Sequence, residues 1–432
     1  MMEECAKRRH LLLISYYFAP QNLIAAVRTT KIAKYFVRSG WNVTIITADK
    51  CRLGNQRDST LVCDEMKYMK IIRVKDSNNI IPHLLQRSSF IDEIFRNQGT
   101  VEWYWEAKRV LKSHLIKEKF DLVISSYAPM YTHLLAAYAK KMQPSICWIA
   151  DFRDAYINNI TKRNKSNVSS KVCFIMQNYI VRKADRITTV SDGLRKELMR
   201  QNRYIKNKML TITNGYDEED RRIINDDTNN NSIFTIAYTG TIYHRHSDPS
   251  MLFQALKELI SEGKIESTKV RFDYCGKDTK GINFLAKHYG IESIMNYYGV
   301  VNRKKSMEIQ SSSQLLLALA WNKKDSTGIL TGKIFEYMLI QKPVISITVG
   351  DRPRGELSKL IRRSNLGIAC EEKNYKDDLQ KLKSFISKNY NEFYEKGEIA
   401  FFPDNNILKR YEYAEITSRF IKLYEECFKH KY

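Results

Sequence analysis

Residues 331–345 read Thr-Gly-Lys-Ile-Phe-Glu-Tyr-Met-Leu-Ile-Gln-Lys-Pro-Val-Ile, with Lys333 and Glu336 three positions apart. Thr331 and Gly332 form a polar turn into a short amphipathic helix. The helix stops at Lys342-Pro343, and the β-branched run Val344–Thr348 follows. The first N–H groups of a helix have no partner within it, and its dipole is positive at that end, so this turn suits a phosphate. Lys333 adds a mobile charge. Glu336, one turn further along the same face, can accept hydrogen bonds from two neighbouring sugar hydroxyls. One helix end therefore has the groups to hold both a diphosphate and a ribose.

Other residues of the same character follow strand-like runs. Thr239-Gly240-Thr241 ends the run Phe234–Tyr238. A glycine there lets the backbone approach a phosphate, and Arg245 lies close by to supply charge. Asp151-Phe-Arg-Asp154 follows the run Ile146–Ala150. Carboxylates at the carboxyl end of a strand are placed to orient or deprotonate a hydroxyl, so Asp151 and Asp154 are the catalytic candidates. A structural Arg153–Asp154 ion pair is the alternative. Tyr17, Asn22 and Arg28 belong to the first strand-to-helix loop and its helix, which should face a second ligand. Arg28 would either meet a diphosphate or extend from its helix along apolar surface.

The elements that must position these groups alternate regularly. Apolar runs at 10–17, 43–47, 121–125, 146–150, 186–190 and 209–213 read as strands, and helical patterns at 26–39, 101–117, 131–141 and 171–184 separate them. The segment Asn225–Ser232 has no apolar residue and reads as a linker. The alternation then restarts. Strands are predicted at 234–238, 270–274, 296–301, 315–320 and 343–348, with helices at 249–261, 282–288, 304–311, 377–396 and 407–429. This pattern predicts an α/β protein of two Rossmann-like, doubly wound parallel-sheet domains facing each other across a cleft. The expected divisions are 1–224, a linker at 225–232, a second domain at 233–400, and a helical segment at 401–432 that packs back on the first.

The chain has 432 residues, 43% of them hydrophobic and 28% charged, as in an ordinary globular protein. No run of about 18 apolar residues suggests a membrane span. The N-terminal apolar run leads into a Pro-containing loop, so it reads as a buried strand and not as a signal peptide. The eight cysteines are scattered without C-x-x-C spacing or His partners, which predicts reduced, buried thiols and no metal site. The formal net charge is +23, and over residues 1–200 Lys and Arg outnumber Asp and Glu by 34 to 18. Such a balance predicts an anionic partner. No helix-turn-helix, RNA-recognition or zinc pattern points to specific nucleic acid. Thirteen Lys/Arg lie within residues 162–208, and Trp103, Tyr104 and Trp105 form an aromatic cluster. Together they would suit an anionic membrane surface, or simply a solvated helix face and core aromatics.

Seven motifs, in order, carry a resemblance. They are Ser15-Tyr-Tyr-Phe-Ala-Pro20 with Arg28-x-x-Lys31-x-Ala-Lys-Tyr-Phe36; Asp121-Leu-Val-Ile-Ser-Ser126; Trp148-Ile-Ala-Asp-Phe-Arg-Asp154; Ala184-Asp-Arg-Ile-Thr-Thr-Val-Ser191; Thr213-Asn-Gly-Tyr-Asp217; Tyr238-Thr-Gly-Thr241; and Gly332-Lys-Ile-Phe-Glu-Tyr-Met338. The chain resembles GT-B glycosyltransferases of the family 4 type, of the sort found in bacterial capsule and surface-polysaccharide biosynthesis. The resemblance implies a hexosyltransferase-type enzyme that moves a sugar from a nucleoside diphosphate sugar, UDP-linked hexose or N-acetylhexosamine, to a polyprenyl-diphosphate-linked glycan. It implies retention, no cofactor and no metal, with Glu336 on the ribose. The family's first motif glutamate falls on Gly328, with Asp325 in the same loop, and Thr241 stands where many relatives carry an arginine. Arg245 or Lys333 would then supply that charge. The implied setting is cytoplasmic, on the inner face of the cell membrane. Two other readings are a two-lobed nucleotide-sugar epimerase and a non-catalytic basic binding protein or partner subunit.

Overall fold

The computed structural model describes residues 8–49, 57–76, 101–154, 167–224, 232–243, 246–324 and 330–429. The chain divides into two units, one of residues 1–213 with 413–432 and one of residues 214–412. The division falls at Thr213/Asn214, ahead of the linker read at 225–232. The physical reason is that the turn Glu218–Ile223 buries Ile223 in a core cluster of the second unit. Residues 225–231 lie outside the described residues.

The first unit carries β1 (His10–Ser15), α1 (Ile24–Arg38), β2 (Asn42–Ala48), β3 (Met69–Val74), α2 (Val101–Lys117), β4 (Leu122–Ser126), α3 (Tyr131–Met142), β5 (Cys147–Phe152), α4 (Asn167–Lys183), β6 (Arg186–Thr189), α5 (Asp192–Gln201) and β7 (Met209–Thr211). All strands are parallel, in the order β3-β2-β1-β4-β5-β6-β7. Strands such as His-Leu-Leu-Leu-Ile-Ser are apolar on both sides because helices cover both faces. One face packs on Trp103, Leu111 and Leu135, the other on Ile32, Phe36 and Phe420.

The second unit carries β8 (Phe234–Thr239), α6 (Ser250–Ser261), β9 (Val270–Cys275), α7 (Thr279–Tyr289), β10 (Met295–Tyr297), α8 (Arg303–Ser312), β11 (Leu315–Trp321), α9 (Lys333–Ile340), β12 (Val344–Val349), α10 (Glu356–Arg363), β13 (Gly367–Glu371), α11 (Tyr375–Lys396) and α12 (Asn405–Lys409). Its parallel sheet has the order β10-β9-β8-β11-β12-β13. Both sheets reverse direction once, at β1/β4 and at β8/β11, and ligands of such sheets bind at the carboxyl ends near these switch points. The doubly wound α/β reading of both halves is thus observed.

Local details differ from the sequence reading. The single helix expected at 407–429 is instead α12 and a separate α13 (Tyr413–Lys429). The backbone between them is used otherwise, since the Tyr411 carbonyl accepts a hydrogen bond from the Tyr216 N–H at 2.9 Å. α13 belongs to the first unit, where Tyr413, Ile416 and Phe420 are buried. Strands β3 and β13 and helices α5 and α10 were not anticipated. The expectation that the thiols are all reduced is also corrected. Cys147 on β5 and Cys427 on α13 form a disulfide with Cα atoms 6.5 Å apart. Packing of α13 beside β5 brings together two residues 280 positions apart, which no sequence spacing reveals. Cys63, Cys173, Cys275 and Cys370 are buried outside any disulfide.

Candidate active site

In the second unit the Thr331–Glu336 turn forms as its residues dictate. Gly332 caps α9 without a side-chain bond, and the Lys333 N–H lies 3.4 Å from Thr331 Oγ1. The inner face of α9 is apolar, with Ile334, Phe335, Tyr337, Met338 and Leu339 buried. Tyr337 fixes the helix to the sheet by donating its hydroxyl to the Leu317 carbonyl at 2.9 Å. Lys333 and Glu336 are left half-buried at the carboxyl end of the strands. Lys333 Nζ is 2.9 Å from Glu336 Oε2.

Two partners of Glu336 were not anticipated. Gln310 on α8 donates through Nε2 to Glu336 Oε2 at 3.0 Å and to Thr239 Oγ1 at 2.7 Å, so it ties α9 to the last residue of β8. Arg303, also on α8, is paired to the buried Asp220 at 2.7 Å and acts on Glu336 through its charge. Burial pushes the Glu336 carboxyl up, but the charges of Lys333 and Arg303 and the bonds from Gln310 and Lys333 outweigh it and hold the group below its usual range. Glu336 is thus an ionised acceptor in a half-dry setting, which suits a pair of hydroxyls.

Gly240 directly follows β8, and its N–H donates to the Cys275 carbonyl at 2.9 Å. A Cβ on neighbouring Gly276 would stand 2.3 Å from the Gly240 carbonyl oxygen, so the two backbones approach as only glycine permits. Thr241 is exposed, and its carbonyl accepts from the Tyr238 hydroxyl at 3.1 Å. Arg245, Asp325 and Gly328 lie outside the described residues.

The first unit corrects two sequence readings. Asp151 does not sit on a rim. Its side chain is 0% exposed and takes a two-point ion pair from Arg28, Nε to Oδ2 and Nη2 to Oδ1, both at 2.9 Å. Ser126 and Thr188 hydroxyls donate to the same carboxylate at 3.1 and 2.8 Å. Arg28 also donates to the carbonyls of Ile212 and Thr213 and lies over the Phe420 ring. Burial pushes the Asp151 carboxyl up, but Arg28 and the Thr188 bond bring it below its usual range. A sealed carboxylate with all these donors cannot reach a substrate proton, and a sealed guanidinium cannot touch an acceptor. Both residues therefore act as an internal brace. Asp154, two residues past β5, is exposed, while Arg153 donates to the Tyr127 carbonyl. Tyr17 and Asn22 are half-buried in the loop after β1, with Tyr17 edge-on to Tyr16 at 5.0 Å. Among the described residues no cluster of His, Cys, Asp or Glu could hold a metal ion.

Residues 25–220 match the family described as Glycosyltransferase Family 4. Over that stretch, just under half of its length, the chain is similar to family 4 glycosyltransferases. By sequence the enzyme matches no curated protein. Its fold is the GT-B fold of solved glycosyltransferases. It is similar to a sucrose-phosphate synthase from Thermosynechococcus elongatus, with TM-score 0.64, 13% identity, and 98% of this chain and 100% of that one covered. It is similar to a lipopolysaccharide outer core galactosyltransferase in its apo form, with TM-score 0.57, 13% identity, and 96% and 98% covered. A putative UDP-N-acetylglucosamine 2-epimerase from Listeria monocytogenes shares the architecture at TM-score 0.51 and 9% identity, with 98% and 97% covered.

Proposed function

We propose that the enzyme transfers a hexose or N-acetylhexosamine from a UDP-sugar to a polyprenyl-diphosphate-linked glycan in capsule or surface-polysaccharide synthesis, with retention and without a metal. The observation that carries the donor half is the Glu336 carboxylate, kept ionised by Lys333, Arg303 and Gln310 at the N-terminus of α9. In this reading Glu336 holds the ribose, and Lys333, Thr331, Gly332 and the Gly240–Thr241 turn hold the diphosphate, whose departing charge Lys333 and the helix end stabilise. Arg245 is a further diphosphate candidate. Asp154 is the carboxylate proposed to meet the acceptor hydroxyl, with Tyr17 and Asn22 on the acceptor side.

The acceptor's lipid is proposed from the surface of the first unit. Trp105 is 54% exposed and Ile175 66% exposed, and Phe174 and Tyr179 are exposed beside them on α4. Tyr104 on α2 and Tyr179 on α4 lie near enough to act on each other electrostatically, so the two helices share one surface. Lys108 holds its ammonium 5.0 Å from the Trp105 ring centroid. Trp103, by contrast, is buried in the core. Aromatic and aliphatic groups among lysines suit the interface of an anionic leaflet, which gives a peripheral place on the inner face of the cell membrane. No helix among the described residues is long and apolar enough to cross a membrane.

The test is calorimetric titration with UDP, UDP-glucose, UDP-galactose and UDP-N-acetylglucosamine, followed by transfer assays on a polyprenyl-diphosphate glycan. Glu336→Ala should weaken UDP binding at least about tenfold and abolish transfer. Near-normal activity in that variant would remove the donor assignment. Turnover of a UDP-sugar to its epimer without acceptor would favour the epimerase reading instead.

A further inference from the structure

A hollow of about 310 Å³ opens at the amino end of the second sheet, away from the start of α9. Two of its lining residues lead directly into strands: Gln314 precedes β11 and Pro343 precedes β12. Its apolar wall is made by Phe393 near the end of α11 and by Ile399 and Phe401 beyond it. Gly397 ends α11 with φ +80°, a left-handed value that glycine adopts freely, and residues 398–401 then run along the hollow. This stretch is tied at both ends. Tyr394 donates its hydroxyl to the Lys269 carbonyl at 2.7 Å and accepts from the Phe234 N–H at 3.2 Å. Asn365 donates through Nδ2 to the Phe402 carbonyl at 2.7 Å. The hollow is therefore pre-formed, and its size is at the lower end of the range of about 300–1,000 Å³ that holds small ligands.

Lys342 brings a charge to this apolar setting. It is half-buried, and burial alone pushes its pKa down, with no carboxylate among the described residues to offset it. Glu398 also lines the hollow but is exposed. Gln314 adds a neutral donor. Its Oε1 already accepts from the Thr235 N–H at 2.8 Å, which leaves the amide NH2 group for another oxygen.

We propose that the hollow binds a small organic monocarboxylate, with its anionic end on Lys342 and its apolar body against Phe393, Ile399 and Phe401. A desolvated ammonium beside apolar surface gains a charge-assisted hydrogen bond from such a ligand, and the wall gains cover from water. The site selects a single charge. Gln341, in the lining, is the C-cap of α9, and that end is the negative pole of the helix, so each further negative charge on a ligand is penalised. Lys342 is the one cation among the described lining residues. The guanidinium fork and second positive charge that favour a phosphate ester are missing. This inference does not depend on the assignment of Glu336 and the α9 N-terminus to a nucleotide sugar.

The experiment titrates the full chain with hexanoate, benzoate and phenylacetate, with their neutral amides, and with inorganic phosphate, using saturation-transfer NMR and calorimetry. At least one carboxylate should bind, its amide at least about tenfold more weakly, and phosphate more weakly still. Lys342→Met keeps the apolar stem and removes the charge, and should weaken the carboxylate about tenfold while leaving the amide within about twofold. Ile399→Asp should weaken both. Thermal unfolding checks each variant, and should Lys342→Met not fold, Lys342→Gln is judged by the same ratio. Failure of all three carboxylates to bind, equal binding of acid and amide, preference for phosphate, or binding indifferent to Lys342 and Ile399 would each overturn the inference. Glu336→Ala should leave carboxylate binding unchanged. Its loss there would place the anion at the start of α9 and remove this site, whereas a change in UDP binding alone concerns only the donor assignment.

Discussion

Arg28 and Asp151 grip each other through two hydrogen bonds of 2.9 Å each, with both side chains shut off from water. Removing one partner leaves the other buried and uncompensated. Asp151→Asn or Arg28→Met should therefore each destabilise the first unit by about 3–5 kcal/mol, and the double variant by less than the sum. Denaturant unfolding of the full chain measures this. Because the folded Asp151 pKa lies below its unfolded value, the pair's contribution is complete at neutral pH and is lost only as pH falls below about 4. Single variants with wild-type stability would refute the brace.

His133 gives a pH dependence in a different window. Its ring is buried on α3, with Nδ1 2.7 Å from Ser125 Oγ, which in turn accepts from Trp148 Nε1 at 2.8 Å. Burial pushes its pKa down to about 3. The unfolded chain binds a proton here that the folded one does not, so stability falls as pH drops from 6.5 toward 3. Between pH 7 and pH 5 the loss should be about 2 kcal/mol. Unfolding curves of His133→Phe should show a correspondingly smaller difference between those two pH values, and an unchanged difference would exclude His133 as the source.

Gln310 should matter to donor binding without touching the donor chemistry. Its amide holds Glu336 and Thr239 together, and a hydrogen bond to a charged group is worth about 1.5–3 kcal/mol. Gln310→Leu keeps the volume and removes the donor. We expect KM for the sugar nucleotide to rise about tenfold or more and kcat to change much less. A pure kcat loss would contradict a positioning role.

The exposed apolar groups of α2 and α4 should govern membrane partition. Wild-type enzyme should sediment with vesicles containing phosphatidylglycerol, less so as salt is raised, and weakly with phosphatidylcholine alone. Trp105→Ser combined with Ile175→Asp should cut partition about tenfold. Sedimentation that ignores both salt and these substitutions would rule this face out.

The Thr331–Glu336 turn was legible because its signals are local. Thr331, Gly332, Lys333 and Glu336 sit within six residues, and a helix start needs nothing distant to form. Gln310 could not be found the same way, since it reaches Glu336 from 26 positions away through the packing of α8 on α9. Arg28 and Asp151 are 123 positions apart, so the sequence offered two separate polar residues where the fold makes one buried pair. The strands that escaped notice, β3 and β13, are sheet edges. Met-Lys-Ile-Ile-Arg-Val and Gly-Ile-Ala-Cys-Glu lack the continuous apolar run that two covered faces and two paired edges impose on central strands. The tail was misread as one helix because its helical pattern runs on through Arg410–Glu412, and only the bond from Tyr216 shows why it stops.

α13 is made after the whole second unit, yet it completes the core of the first. On the ribosome, the sheet begun at His10 must wait for Ile416 and Phe420, leaving Leu11, Ile32 and Phe36 without their cover until about two hundred further residues have emerged. The unit started first is therefore finished last, and its exposed intermediate is the species that chaperones would meet during synthesis.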